Sequence, residues 1–554
     1  MTVTQAEQDF LTNLDETFAK SNQDFARAYF LFATAKLSDT INTQEIYAKY
    51  PELHQEDTFH HLKKLYDETP NDEFNTRLFT AVLETYIGNK LSAENDEFEN
   101  LKNQLTINTQ GLNIKDESGN AIDSLLYEDT PEWFKKIEDK ATRQALYQRV
   151  SEAYEADLSQ RFKDLFHAEN TLMAEMGYAD IVKFYSQTTG HNLPKLAQKG
   201  QDLVAKTNDL YQGPMAAYYQ ERTGVSFDEA TRADIAYVFH GKSKALQAID
   251  EKFPESNLVA QATKTFNTLG LNFSTVAEAV DYKTLEDYTQ DVVNHTGNSP
   301  RILLDVTKRE GKRSRAFVYP SKVPSEVYLS VKPEGGLSDY STFFHESGHA
   351  LHFAYTNPNL SYALAQMGNN TVTESYAYLF QNLYLNRHWL QHQAGLSAQE
   401  ALTVVRHGAL TDLYMLRRYA SKMAFEIQLY QGDAKQGISL AGKDQVYADL
   451  LTQGTGFTYD AAGWVRDVDS GFYVADYFTA WTLEAQLRQV LCTRFGNPDV
   501  KGEDWPQNPD AGAFLKALWT DGNLTQQELS NRLGYHDPTD TTALLDWMTY
   551  NLSK

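Results

Sequence analysis

The stretch SDYSTFFHESGHALHFAYTNP, residues 338–358, decides how the rest of this chain is read. Its apolar residues recur at three- and four-residue spacing. Ser338 or Asp339 stands where a helix N-cap belongs, and Asn357-Pro358 ends the pattern, so a helix running to about Tyr355 is predicted. Inside it lies His-Glu-x-x-His. Helical positions four apart differ by about 40° around the axis and about 6 Å along it, so His345 and His349 face the same way. Two neutral imidazoles in that relation can bind one tetrahedral Zn2+ ion. Glu346 projects beside them, placed to take a proton from water rather than to ligate. Gly348 costs about 1 kcal/mol against alanine in a helix, which implies a close neighbour there. The competing reading is two surface histidines and a solvated glutamate, but a chain with only 14 histidines seldom produces this pattern by chance.

Further on, the segment TVTESYAYLFQNLYL (371–385) is apolar and helical, with one carboxylate, Glu374, in its first turn, twenty-five residues after His349. A buried, unpaired charge costs several kcal/mol, and a metal ion would answer it. The alternative is a carboxylate that only favours the helix dipole. Taken with the motif, Glu374 is the expected third ligand, and three protein ligands leave a fourth position open, the pattern of a catalytic site. His352 lies on nearly the same face as His345 but about 10 Å along the helix. That is too far to share a metal, so packing or hydrogen bonding is expected of it.

Upstream, RILLDV (301–306), RAFVYP (315–320) and SEVYLSV (325–331) read as strands of one small antiparallel sheet. FARAYFLFATAKL (25–37) and NTRLFTAVLETYI (75–87) read as helices, as do 131–176 and 193–224, the latter with a break expected at Gly213-Pro214. The stretch 104–122 suggests a small hairpin or an exposed loop. With no fixed-period repeat and no proline-rich hinge, the chain reads as one intertwined, mainly α-helical molecule. A working division places an N-terminal helical lobe at 1–230 and a catalytic lobe at 231–554.

Composition sets outer limits. The 554 residues carry a formal net charge of −25, a surface that repels nucleic acid and anionic membrane. No run reaches the roughly 18 apolar residues needed to span a bilayer, and the N-terminal residues have neither the basic start nor the apolar block of a secretory leader. A single cysteine, Cys492, fits a reducing compartment, so a cytoplasmic location is expected. The sequence leaves the oligomeric state open.

From about Leu303 to Leu385 the chain resembles the M3 family of zinc oligopeptidases, the thimet oligopeptidase and oligoendopeptidase F group. The likeness rests on GKRSRAFVYPSKVPSEVYLSV, GGLSDYSTFFHESGHALH and TESYAYLF. It implies a gluzincin-type helical fold whose two lobes enclose a deep channel admitting short peptides, with one zinc ion held by His345, His349 and Glu374 and with Glu346 as general base. The implied reaction is hydrolysis of internal peptide bonds. It also implies that a strand edge near the metal pairs with the substrate backbone, a place occupied here by Val327, Tyr328 and Leu329. SGFYVADYFTAW (470–481) resembles the family's C-terminal tyrosine segment, so Tyr473 or Tyr477 is implied as an oxyanion donor. Family members usually carry a histidine shortly before that segment. Residues 463–469 have none, and Arg466 is the candidate to replace it.

Two other readings remain open. A zinc carboxypeptidase or peptidyl-dipeptidase on a similar helical scaffold would need a cation for the substrate's C-terminal carboxylate, with Arg417 and Arg418 as candidates. A catalytically silent peptide-binding protein would have no need of Glu346.

Overall fold

The computed structural model describes residues 4–37, 43–69, 72–116, 118–241, 243–273, 275–277, 285–295 and 301–553. It is mainly α-helical with only small sheets. The chain divides into two compact units, each drawn from three stretches. Met1–Tyr86, Ala248–Val405 and Thr479–Leu544 form the first; Ile87–Gln247, Arg406–Phe478 and Leu545–Lys554 form the second. Among the described residues no helix is long and apolar enough to cross a membrane.

The first unit begins with helix α1 (Gln5–Ala33), opened by a capping box between Thr4 and Glu7. Its inner face packs on a four-stranded sheet whose strands are β1 (Thr275–Ala277), β2 (Ile302–Asp305), β3 (Phe317–Lys322) and β4 (Glu326–Ser330). Phe30 of α1 stacks on Tyr328 of β4 at 4.4 Å between ring centroids. Arg27 forms a fork with Glu326, at 2.9 and 2.8 Å, so the buried carboxylate is both paired and hydrogen-bonded.

The sheet differs from the expected antiparallel one. Its order is β1-β2-β4-β3: β3 runs antiparallel to β4, but β2 runs parallel to both β1 and β4. The reason lies in the connection between β2 and β3. Midway along it Lys312 binds both Asp305 Oδ1 at 2.6 Å and Val331 O at 2.8 Å, so the connection passes the C-terminal ends of β2 and β4 before β3 begins. The centre is left for β4, all five of whose residues are buried, as a strand covered on both faces should be. Val327, Tyr328 and Leu329 are therefore not at an edge. They are fully buried between two neighbouring strands, with no backbone edge to offer a substrate, and the expectation for these three residues is corrected. The outer strand beside them is β3.

In the second unit, Thr106–Asn108 and Ser124–Leu126 pair as an antiparallel hairpin, as the turn-rich 104–122 stretch suggests. The expected break at Gly213-Pro214 is absent: the helix Asn208–Thr223 runs through Pro214, and the chain bends at Thr207 instead. An interior proline costs about 3 kcal/mol. Tyr211, Met215 and Tyr219 share one fully buried face of this helix, and at about 1.5–3 kcal/mol each their burial outweighs that cost.

Candidate active site

Helix α2 (Leu337–Ala354) carries the motif. Neither Ser338 nor Asp339 caps it. Its first N–H group is met from outside, Leu337 N donating to Asp250 Oδ1 at 3.0 Å. Asp339 turns back and accepts from the N–H groups of Glu334 and Gly335, stabilising the Gly335-Gly336 turn, where φ is +94° and +97°. Phe343, Phe344, Ser347 and Leu351 are buried, and Phe344 meets Phe266 and Trp389 at 5.4 Å. That anchoring leaves His345, Glu346 and His349 on the half-buried face.

Helix α3 (Thr371–Gln381) crosses α2 at Gly348. A Cβ at that position would lie 2.7 Å from both Ala377 Cα and Tyr376 O, so only glycine permits this approach. The crossing brings Glu374 to the motif. One donor atom each from His345, His349 and Glu374 lies within 4.8 Å of the others; Glu374 Oε2 is 3.5 Å from His345 Nε2 and 3.8 Å from His349 Nε2. Burial pushes the His345 imidazole down to about 4. His349 is driven well below the usual histidine range by burial, with His345 and His352 adding to the shift. Both rings are thus neutral near pH 7, and neither contact with Glu374 is an ion pair. Ligands about 2.0–2.1 Å from a tetrahedral zinc lie about 3.3 Å apart. The donor set, the spacing and the neutral imidazoles fit such an ion.

The two imidazoles differ in how their surroundings hold them. Thr373 Oγ1 lies 2.8 Å from His349 Nδ1, which leaves Nε2 facing Glu374. Gln381 stands beside His345, near enough to raise its basicity, without completing a hydrogen bond to the buried Nδ1. Tyr378 meets the His345 ring edge-on at 5.4 Å and is itself stacked on Trp481 at 5.3 Å. His352 is fully buried, accepts or donates nothing toward the triad, and bonds Gly522 O through Nε2 at 3.1 Å.

Glu346 is pushed up to about 7 by burial, against the field of Arg315 and the backbone N–H of Val318, which both hold it down. Val318 belongs to β3. This outer strand packs against the motif helix, and farther along it Pro320 O is occupied by Asn22 at 2.9 Å and Gln366 at 2.8 Å. Thr373, Gln381, Val318 and Arg315 were not singled out from sequence. Only Thr373, a hydroxyl beside Glu374 in an apolar helix, left a trace there.

Five expected residues lie in the second unit. Tyr473 and Tyr477 share a helix face, their rings edge-on at 4.9 Å, with Tyr477 stacked on Tyr419 at 5.6 Å. Arg417 is fully buried and its donors are taken by Gly454 O, Val204 O, Thr207 Oγ1 and Asn208 Oδ1 at 2.6–2.8 Å. Arg418 is paired with Asp467. Neither guanidinium is available to a substrate carboxylate. Arg466 is likewise engaged, with Tyr147 OH at 3.0 Å and Asp460 at 3.5 Å.

A family model described as peptidase family M3 matches residues 133–481. The chain belongs to peptidase family M3. That span, well over half the sequence, includes the motif helix and Glu374, and membership makes the protein a peptidase. No curated protein matches the sequence. Among solved structures, PZ peptidase A with an inhibitor shares 13% identity at a TM-score of 0.54, covering 96% of this chain and 86% of that one. A Chlamydophila abortus protein assigned as a peptidase shares 16% at 0.57, covering 92% and 82%. A Bacillus anthracis str. Ames protein assigned as an oligoendopeptidase F shares 13% at 0.54, covering 95% and 84%. At such identities the likeness is one of fold.

Proposed function

We propose that this M3 peptidase is a zinc-dependent endopeptidase acting on internal bonds of short peptides, in the cytoplasm. The observation that carries the proposal is the convergence of His345, His349 and Glu374 beside a half-buried Glu346. Held by these three residues, zinc would supply Lewis-acid polarisation of the scissile carbonyl and acidification of water. Glu346, raised toward neutrality by burial, is suited to accept a proton from the attacking water and return it to the leaving amine. Tyr473 or Tyr477 would donate to the oxyanion; their support is the resemblance of 470–481 to the family's tyrosine segment. The outer strand β3, which packs against the motif helix, replaces β4 as the backbone edge for an extended peptide.

The exopeptidase reading loses its two named cations, since Arg417 and Arg418 are spent inside the second unit. The test is digestion of unblocked and end-blocked peptides of varied length, with and without a zinc chelator, read by mass spectrometry. Chelator-sensitive internal cuts are expected. Release of only one or two C-terminal residues would favour the exopeptidase, and zinc-loaded protein that binds but never cuts would favour a silent binder.

A further inference from the structure

Arg315 stands apart from the other well-placed guanidinium groups. Arg27, Arg143, Arg309 and Arg418 each face a carboxylate of the protein. Arg315 is exposed and, among the described residues, makes no hydrogen bond and no ion pair, although the chain holds 75 acidic residues against 50 basic ones. It sits two residues before β3, the outer strand, which packs against the motif helix, and its positive field reaches the Glu346 carboxyl. An extended peptide lying along that strand would run past it.

We infer that Arg315 forms a carboxylate-binding subsite beside Glu346, taking an anionic group of the peptide being cut. The planar guanidinium matches a carboxylate in a two-pronged geometry that lysine cannot reproduce. The surrounding charge of −25 makes it a local exception, so it selects for an anion at one position while the rest of the surface disfavours acidic peptides. Two sources share this chemistry, the C-terminal carboxylate of a short peptide and an acidic side chain. The inference rests on the peptidase reading above and adds a specificity to it.

The test compares two peptide pairs, one differing only in a free or amidated C-terminus, the other only in Glu or Gln within the sequence. The quantity read is the ratio within each pair, for kcat/KM with the wild type and Arg315→Ala, and for Kd with Glu346→Gln and the Glu346→Gln/Arg315→Ala double variant. Arg315→Lys serves as the conservative control. For one pair the ratio is expected to favour the carboxylate by about tenfold and to fall toward one without Arg315, with lysine restoring only part. Collapse in the first pair identifies the chain terminus as the source; collapse in the second identifies a side chain. Ratios near one in the wild type, or ratios unmoved by Arg315→Ala in both assays, would overturn the subsite and leave Arg315 acting only on Glu346. Absence of cleavage by the wild type would instead sink the peptidase reading, while the Kd ratios would still decide on the subsite.

Discussion

Gly348 and Ala377 meet backbone to backbone, so closely that a Cβ on residue 348 would stand 2.7 Å from Ala377 Cα. This contact sets the distance between the motif helix and the helix bearing Glu374. Gly348→Ala would gain about 1 kcal/mol of helix propensity, yet a backbone cannot step aside as a side chain can. The helices must separate, at a cost of about 1–3 kcal/mol, and the three donor atoms separate with them. A lowered denaturation midpoint together with weakened zinc binding is expected. A stable variant with unchanged zinc affinity would show that the crossing does not set the site.

Thr373 fixes the orientation of His349 through the 2.8 Å contact at Nδ1. Thr373→Val keeps the shape and removes the acceptor. Zinc affinity, measured by competition with a chromogenic chelator, should fall about 10- to 100-fold with little loss of stability.

Glu426, in the second unit, is fully buried and pushed up to about 8 by burial; Lys422 and the Asp469 N–H pull it down, while Asp469 and Asp467 add to the rise. The folded protein therefore keeps this proton well above the ordinary value of 4.5. Deprotonation opposes folding, and this residue's contribution to stability declines as pH rises from 4.5 to about 8. Glu426→Gln removes the titration. Melting temperatures across that window should fall less steeply in the variant than in the wild type; parallel curves would contradict the assignment.

Tyr473→Phe and Tyr477→Phe separate the two oxyanion candidates. The one that donates should lose about 100-fold in kcat with KM nearly unchanged, and the other should stay close to wild type. Near-normal kcat in both would remove the pair from the chemistry.

What was legible in the sequence was what local periodicity encodes. The spacing of His345, Glu346 and His349 follows from 3.6 residues per turn, and Gly348 implies a close neighbour, which the fold supplies in Ala377. The carboxylate of Glu374 stood out because its helix is otherwise apolar. Features that depend on distant partners were not legible. SEVYLSV has the composition of any buried strand, and its central place goes with a connection that Lys312 ties to Asp305 and to Val331 O. Arg417 and Arg418 look like surface cations until Gly454 and Asp467 are brought to them. Pro214 reads as a break because sequence does not reveal how deeply Tyr211 and Tyr219 are buried.

The central claim divides the motif's labour between metal binding at His345, His349 and Glu374 and proton transfer at Glu346. The most direct test is Glu346→Gln, measured together for zinc stoichiometry and for peptide turnover. The account predicts one zinc per chain, as in the wild type, with turnover reduced about 100- to 10,000-fold. Full activity with bound zinc, or loss of the metal along with the activity, would contradict it.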